Sequence, residues 1–366
     1  MPTTRRSFLS HALAGAFAAG AAPLFLRADD KAGVKPLVTG RDAHRYEVLD
    51  GWAQLPANYK FGNTHAVMEA ADGRILVHHQ KGDPDSVAVF DPDGKFIKSW
   101  GAEYRAGAHG MQLRKEAGGE FLYLATTGLH TVVKTDLDGK VVFTLDYPKD
   151  AKNAKGELCY QEGKDAKTGK AKPANAGYVP TNIAFHPTDG SFYVADGYGQ
   201  SYVHHYSAAG EYLATFGGKG TGDGQLNVPH GIWCDTRDTA GGPKIVVADR
   251  SNERLSYFDL AGKFLKAVKP AAAAYRNPCH FDQRGEYLLV PGLHGVVSVL
   301  DRDDKVYTYL GDNPDAAARG KNAYPKDKLI PGVFVAPHGA IWAKSGDAYV
   351  AEWLPYGRVT KLRHLA

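Results

Sequence analysis

One unit recurs along this chain, and it constrains the fold more than any other feature. Val179-Pro180-Thr181-Asn182-Ile183-Ala184-Phe185 leads through a turn at Pro187-Thr188-Asp189-Gly190 into Phe192-Tyr193-Val194-Ala195-Asp196. Tyr202 to Tyr206 and Tyr212 to Gly217 follow, giving four short strands, each bounded by turn residues, over about forty residues. The next unit repeats the pattern from Val228-Pro229-His230-Gly231 through Val247-Ala248-Asp249 to Phe264-Leu265-Lys266. Others open at Asn63-Thr64-His65, Ala108-His109-Gly110, Asn277-Pro278-Cys279-His280 and Ala336-Pro337-His338-Gly339. Four antiparallel strands at a period near forty mark a propeller blade, so the chain is expected to be all-β, a six-bladed β-propeller.

Closure of the ring is also legible. The sixth unit supplies only three strands, and Arg45-Tyr46-Glu47-Val48-Leu49, ahead of the first unit, has the character of the missing outer strand. Pairing it onto the strand around Val359 to Leu362 covers an exposed edge. Two segments break the period: residues 149–176, which carry seven lysines, and residues 311–332. Both join the outer strand of one blade to the inner strand of the next. Antiparallel connectivity therefore predicts them on the face where inner strands begin and second strands end.

Composition narrows the class. A repeat architecture accommodates 366 residues because each unit only buries surface against its neighbours. The 43% hydrophobic and 23% charged fractions are those of a globular protein, and 42 glycines with 20 prolines supply many turns. A net charge of +4 without a concentrated basic stripe argues against nucleic acid as a partner. Three scattered cysteines, Cys159, Cys234 and Cys279, spell no disulfide framework.

The first thirty residues read as an address. Thr4-Arg5-Arg6-Ser7-Phe8-Leu9 has the twin-arginine pattern, and an uncharged stretch from Ala12 to Leu26 follows. That stretch is short and too weakly apolar for a membrane span. The expectation is a signal peptide over residues 1–30, read by the twin-arginine export machinery. A single propeller domain over 31–366 would then reside in the periplasm or outside the cell, with no membrane span after cleavage.

The chemistry concentrates where inner strands open. Those positions hold His65, His109, Thr181, His230, His280 and His338, with Cys279 the alternative to His280 because the fifth unit is shorter. Chance placement of the chain's 15 histidines would put about a quarter of one histidine in six such positions. Three imidazoles hold a divalent ion and leave coordination open for water or substrate. Alternate blades set ligands roughly 120° apart, and His109, His230 and His338 share that spacing and an Ala/Pro-His-Gly context. The expected cofactor is a divalent metal, zinc above others. His65 and His280 are read as lying behind the ligands or touching substrate.

Pro-x-Gly-Ile openings and Tyr-Val-Ala-Asp second strands resemble NHL-repeat propellers, from about residue 45 to the C-terminus. Val194-Ala195-Asp196-Gly197-Tyr198, Val247-Ala248-Asp249-Arg250 and Leu129-His130-Thr131-Val132-Val133-Lys134 further resemble the peptidyl-α-hydroxyglycine α-amidating lyase family (peptidylamidoglycolate lyases). The resemblance implies a zinc held by His109, His230 and His338, Tyr198 as base and Arg250 as the group lowering its pKa. Both residues lie in turns after second strands, on the histidine face. The resemblance also departs from the family. His79-Gln80-Lys81-Gly82-Asp83 offers Lys81 where the family has an arginine for the substrate carboxylate. Ala336 stands for a methionine, and Gly339 for an acidic calcium ligand. The expected function is a metal-dependent lyase or hydrolase acting on a hydroxylated small molecule. A non-catalytic propeller holding a sugar, peptide or protein partner is the alternative, since fold alone supports both.

Overall fold

The computed structural model describes residues 36–164, 168–269 and 275–365. The twin-arginine segment lies outside them. No helix among the described residues is long and apolar enough to cross a membrane. All long elements among the described residues are strands, arranged in six sheets of a propeller, as the repeat predicts.

Five sheets have four strands in sequence order. Their inner strands are Asn63–Glu69, Ala108–Glu116, Asn182–Phe185, Pro229–Asp235 and Asp282–Arg284. The sixth is built from Pro337–Trp342, Ala348–Glu352 and Arg358–His364, and His44–Leu49 pairs antiparallel onto its outer edge, with Val48 opposite Leu362. Expected ring closure is therefore observed. The sequence reading missed a fifth strand, Val38–Arg41, which pairs with His44–Leu49 through a tight turn at Asp42.

Burial grades from the axis outward. Strands Val87–Phe90 and Arg254–Phe258 are buried throughout, whereas outer strands such as Val141–Leu145 are half exposed. The apolar clusters lie between blades rather than within one. Phe192 and Val194 of the third blade pack with Tyr123 and Val132 of the second; Leu289 and Val297 of the fifth pack with Trp342 and Val350 of the sixth. Blades that bury their faces only against one another require a closed ring.

Four of the five hairpins from third to fourth strand share one device. Oδ1 of Asp91, Asp136, Asp259 and Asp301 accepts bonds from the amides two and four residues on, at 2.8–3.0 Å. The fourth turn residue sits at positive φ: Gly94, Gly139 and Gly262, but Asp304 in the fifth blade (φ 63°). A carboxylate is thereby displayed where other blades have no side chain.

A second device positions the site. Acids at the ends of second strands reach across to the loops that open inner strands. Asp196 accepts from Val179 N (2.6 Å), Asp249 from Asn227 N (2.7 Å) and Glu352 from Val335 N (2.6 Å). The acid that ends the recurrent Tyr-Val-Ala-Asp strand therefore satisfies loop amides that would otherwise be buried unpaired. Both insertions lie on this face. Tyr160 Oη donates to Asp196 (2.8 Å), and Asn322 Nδ2 donates to Asn63 Oδ1 (3.0 Å) and Trp353 O (2.8 Å).

Candidate metal centre

The inner strands of the second, fourth and sixth blades open on His109, His230 and His338, all buried. Their rings converge on the axis with centroids 4.7 Å apart for His109–His230, 4.9 Å for His109–His338 and 4.7 Å for His230–His338. Each Nδ1 faces a backbone carbonyl of the next blade: Thr181 (2.7 Å), Cys279 (2.8 Å) and His65 (2.9 Å) respectively. A carbonyl only accepts, so each Nδ1 carries the proton and each Nε2 keeps its lone pair. This anchoring sets the tautomer and orientation that metal-binding imidazoles require.

The glycine after each histidine has the same origin. A Cβ on Gly110, Gly231 or Gly339 would lie 2.3, 2.6 or 2.5 Å from those same three carbonyl oxygens. The His-Gly pair is therefore one unit: the glycine admits the neighbouring backbone, and that backbone anchors the imidazole.

These carbonyls also settle the register of the fifth blade. His65, Thr181 and Cys279 make equivalent contacts, so Cys279, not His280, occupies the opening position. His280 sits one residue further along the channel, where its Nε2 meets Gln112 Nε2 at 2.9 Å. Thr181 Oγ1 is turned away onto Ala195 O and Pro229 O. His65 points inward, with Nδ1 3.3 Å from His338 Nε2 and its ring 4.7 Å from that of His109. Its own Nε2 is buried without a partner.

Among the described residues, two sets present potential ligand atoms mutually within 4.8 Å: His65, His109 and His338, and His230, Cys279 and His338. Sequence reasoning assigned His65 to a place behind the ligands and left Cys279 without a metal role. The structure places donor atoms of both among the converging imidazoles. Cysteine was the alternative at the opening position, and that ambiguity was the one available signal.

Burial disfavours imidazolium at every one of these positions. It pushes His109 down to about 3, and His65, His230 and His338 well below the usual histidine value. The cluster is thus a set of neutral nitrogen donors, which fits a borderline divalent ion.

Tyr198 reaches into the cluster from the turn after the third blade's second strand. Its Oη is 2.9 Å from His230 Nε2 and 3.3 Å from His109 Nε2, while Arg250 Nη1 donates to it at 3.3 Å. The guanidinium also lies 5.2 Å from the centre of the phenol ring. The residue as a whole is 42% exposed, while its hydroxyl contacts these three groups. Burial raises the Tyr198 pKa and the Arg250 charge works against it. Lys81 is exposed on a positive-φ turn, and its side chain makes no hydrogen bond or ion pair with the histidines, Tyr198, Arg250 or any other described residue.

No protein-family model matches the chain. Protein lin-41 of Caenorhabditis elegans is 45% identical over 53 residues, covering 14% of this chain and 4% of that protein. NHL repeat-containing protein 3 of Mus musculus is 25% identical over 257 residues, 67% of this chain and 66% of that protein. The chain thus spans less than two thirds of either relative's length. Among solved structures, a streptogramin B lyase superposes with a TM-score of 0.55 at 12% identity, over 89% of this chain and 100% of that one. A virginiamycin B lyase from Staphylococcus aureus with quinupristin gives 0.54 at 13% identity, over 87% and 100%. At these identities the structural likeness is one of fold.

Proposed function

We propose that this NHL-repeat homologue with a six-bladed propeller fold is a metal-dependent lyase acting on a hydroxylated small molecule. The observation that carries the reading is the threefold anchoring of His109, His230 and His338, each by Nδ1 to the next blade's carbonyl. Channel filling alone gives no reason for three imidazoles to share one tautomer and one direction.

In this reading His109, His230 and His338 would hold a divalent ion, zinc by preference, which would polarise a substrate hydroxyl or carbonyl. Tyr198 has one phenolic proton, and it serves the shorter contact, to His230 Nε2. With the imidazole lone pairs engaged elsewhere, Oη is released to exchange a proton with substrate, and Arg250 stabilises the phenolate form. As Tyr198 takes the hydroxyl proton, the hydroxyl oxygen forms a carbonyl, the C–N or C–O bond on the same carbon breaks with its electron pair on the departing atom, and Tyr198 returns the proton to that atom. Kinship in mechanism with the α-amidating lyases belongs to this proposal, and so does export by the twin-arginine route to the periplasm. Lys81 standing in for the arginine that binds the substrate carboxylate of those lyases also belongs to this proposal.

Metal analysis of the natively purified protein tests the reading. About one divalent ion per chain is expected, with loss of most of it in His109→Ala, His230→Ala and His338→Ala alike. A metal-free wild type, or variants that keep a full complement, would falsify it and leave the non-catalytic binding propeller.

A further inference from the structure

The even-numbered blades supply the three anchored imidazoles, and the odd-numbered blades open on His65, Thr181 and Cys279. Thr181 commits its hydroxyl to backbone carbonyls. Cys279 does not. Its thiol is buried, its hydrogen bond to Asn277 O is a long 3.4 Å approach, and the nearby Arg250 charge favours its thiolate form. Its Sγ lies within 4.8 Å of ligand nitrogens of both His230 and His338. The backbone holds it there firmly. Cys279 N donates to Pro291 O at 2.9 Å, and Cys279 O receives the His230 Nδ1 proton at 2.8 Å. His230 and Cys279 are thus linked twice, once through the carbonyl and once through the approach of Sγ to a ring nitrogen of His230.

We propose that Cys279 is a ligand of the same metal ion, through Sγ, so that the centre is a mixed nitrogen–sulfur site rather than an all-imidazole one. The inference rests on the metal reading above. A thiolate donor has definite consequences. It favours zinc and other soft or borderline ions over manganese or magnesium. It lowers the net charge of the ion with its ligands by one. It also makes binding release one proton, because the thiol enters as thiolate. Arg250 donates to Tyr198 Oη, and its positive charge acts on both the phenol and the thiol. Cys159 and Cys234 are also buried, but neither belongs to a cluster of ligand atoms among the described residues.

Cobalt(II) substitution of the full-length protein tests this directly. Wild type should show the near-ultraviolet sulfur-to-cobalt charge-transfer band beside the visible ligand-field bands of a nitrogen-ligated ion. Cys279→Ser should lose the charge-transfer band, keep the visible bands, and bind cobalt about 10-fold or more weakly, at least the penalty seen for outer partners of metal ligands. Cys234→Ser should keep both band sets. Visible bands without the sulfur band in wild type, or a sulfur band that survives Cys279→Ser, would overturn the inference alone. A protein that binds no cobalt at all overturns it together with the metal reading.

Discussion

The Nδ1 atom of His338 lies 2.9 Å from the carbonyl oxygen of His65, across the seam where the last blade meets the first. One of three equivalent anchors therefore depends on ring closure, while the other two join blades consecutive in the chain. The strand that closes the ring, His44–Leu49, is remote from the imidazoles, yet it fixes the blade that carries one of them.

That dependence is testable at Val48, buried with Leu310, Phe334 and Leu362. Val48→Asp should destabilise the fold by about 3–5 kcal/mol, the cost of an uncompensated buried charge. Metal affinity should fall with it, because His338 loses its fixed distance from His65. Denaturant unfolding and metal titration on the same preparation check both, and loss of stability with unchanged affinity would show that the seam does not govern the site.

Gly231→Ala and Gly339→Ala should act on the site rather than the scaffold. The new methyl meets a carbonyl oxygen at 2.6 or 2.5 Å, so the neighbouring strand must shift and the imidazole anchor lengthens. Overpacking of this kind costs about 1–3 kcal/mol. Circular dichroism should remain that of the wild type while bound metal drops. Full metal retention in both variants would show that glycine and imidazole are not coupled.

Tyr198→Phe deletes one oxygen and leaves the nitrogen donors untouched. Metal content should stay at the wild-type level, while turnover falls by about 10²–10⁴-fold, the usual contribution of a positioned acid–base group. Arg250→Gln should lower turnover with a shift of its pH profile to higher pH, since the charge opposing the raised Tyr198 pKa is gone. A Tyr198→Phe protein that loses its metal instead would make the phenol a ligand, not a base.

Acid stability should trace to the opposite end of the fourth and fifth blades. Asp304 accepts from Tyr257 Oη (2.6 Å), Arg237 Nη2 (2.7 Å) and Lys266 Nζ (2.9 Å). Burial works against its charge, but these donors prevail and hold its carboxyl below the ordinary aspartate value. The folded pKa lies under the unfolded one, so its stabilisation is full above about pH 4 and is lost as pH falls through the folded value. Asp304→Asn tolerates the same positive φ, and should be less stable at neutral pH yet lose less on acidification. Unfolding curves for the two proteins should converge at low pH; curves that stay parallel would place acid sensitivity elsewhere.

Sequence periodicity by itself determined the six blades, the closing strand, the face that carries both insertions and the shared end of the channel for His109, His230 and His338. These follow from strand alternation and turn residues, which are local and repeat. Tertiary structure alone decided the rest. The fifth blade opens on Cys279 because its carbonyl takes the His230 proton, and no count along a unit two residues shorter could choose between neighbours. Val38–Arg41 becomes a strand only because His44–Leu49 is already held by the last blade and offers it an edge. Sγ of Cys279 joins the imidazoles because blades far apart in the chain meet at the axis. A repeat specifies what each blade is; which atoms meet at the axis depends on how six of them close around it.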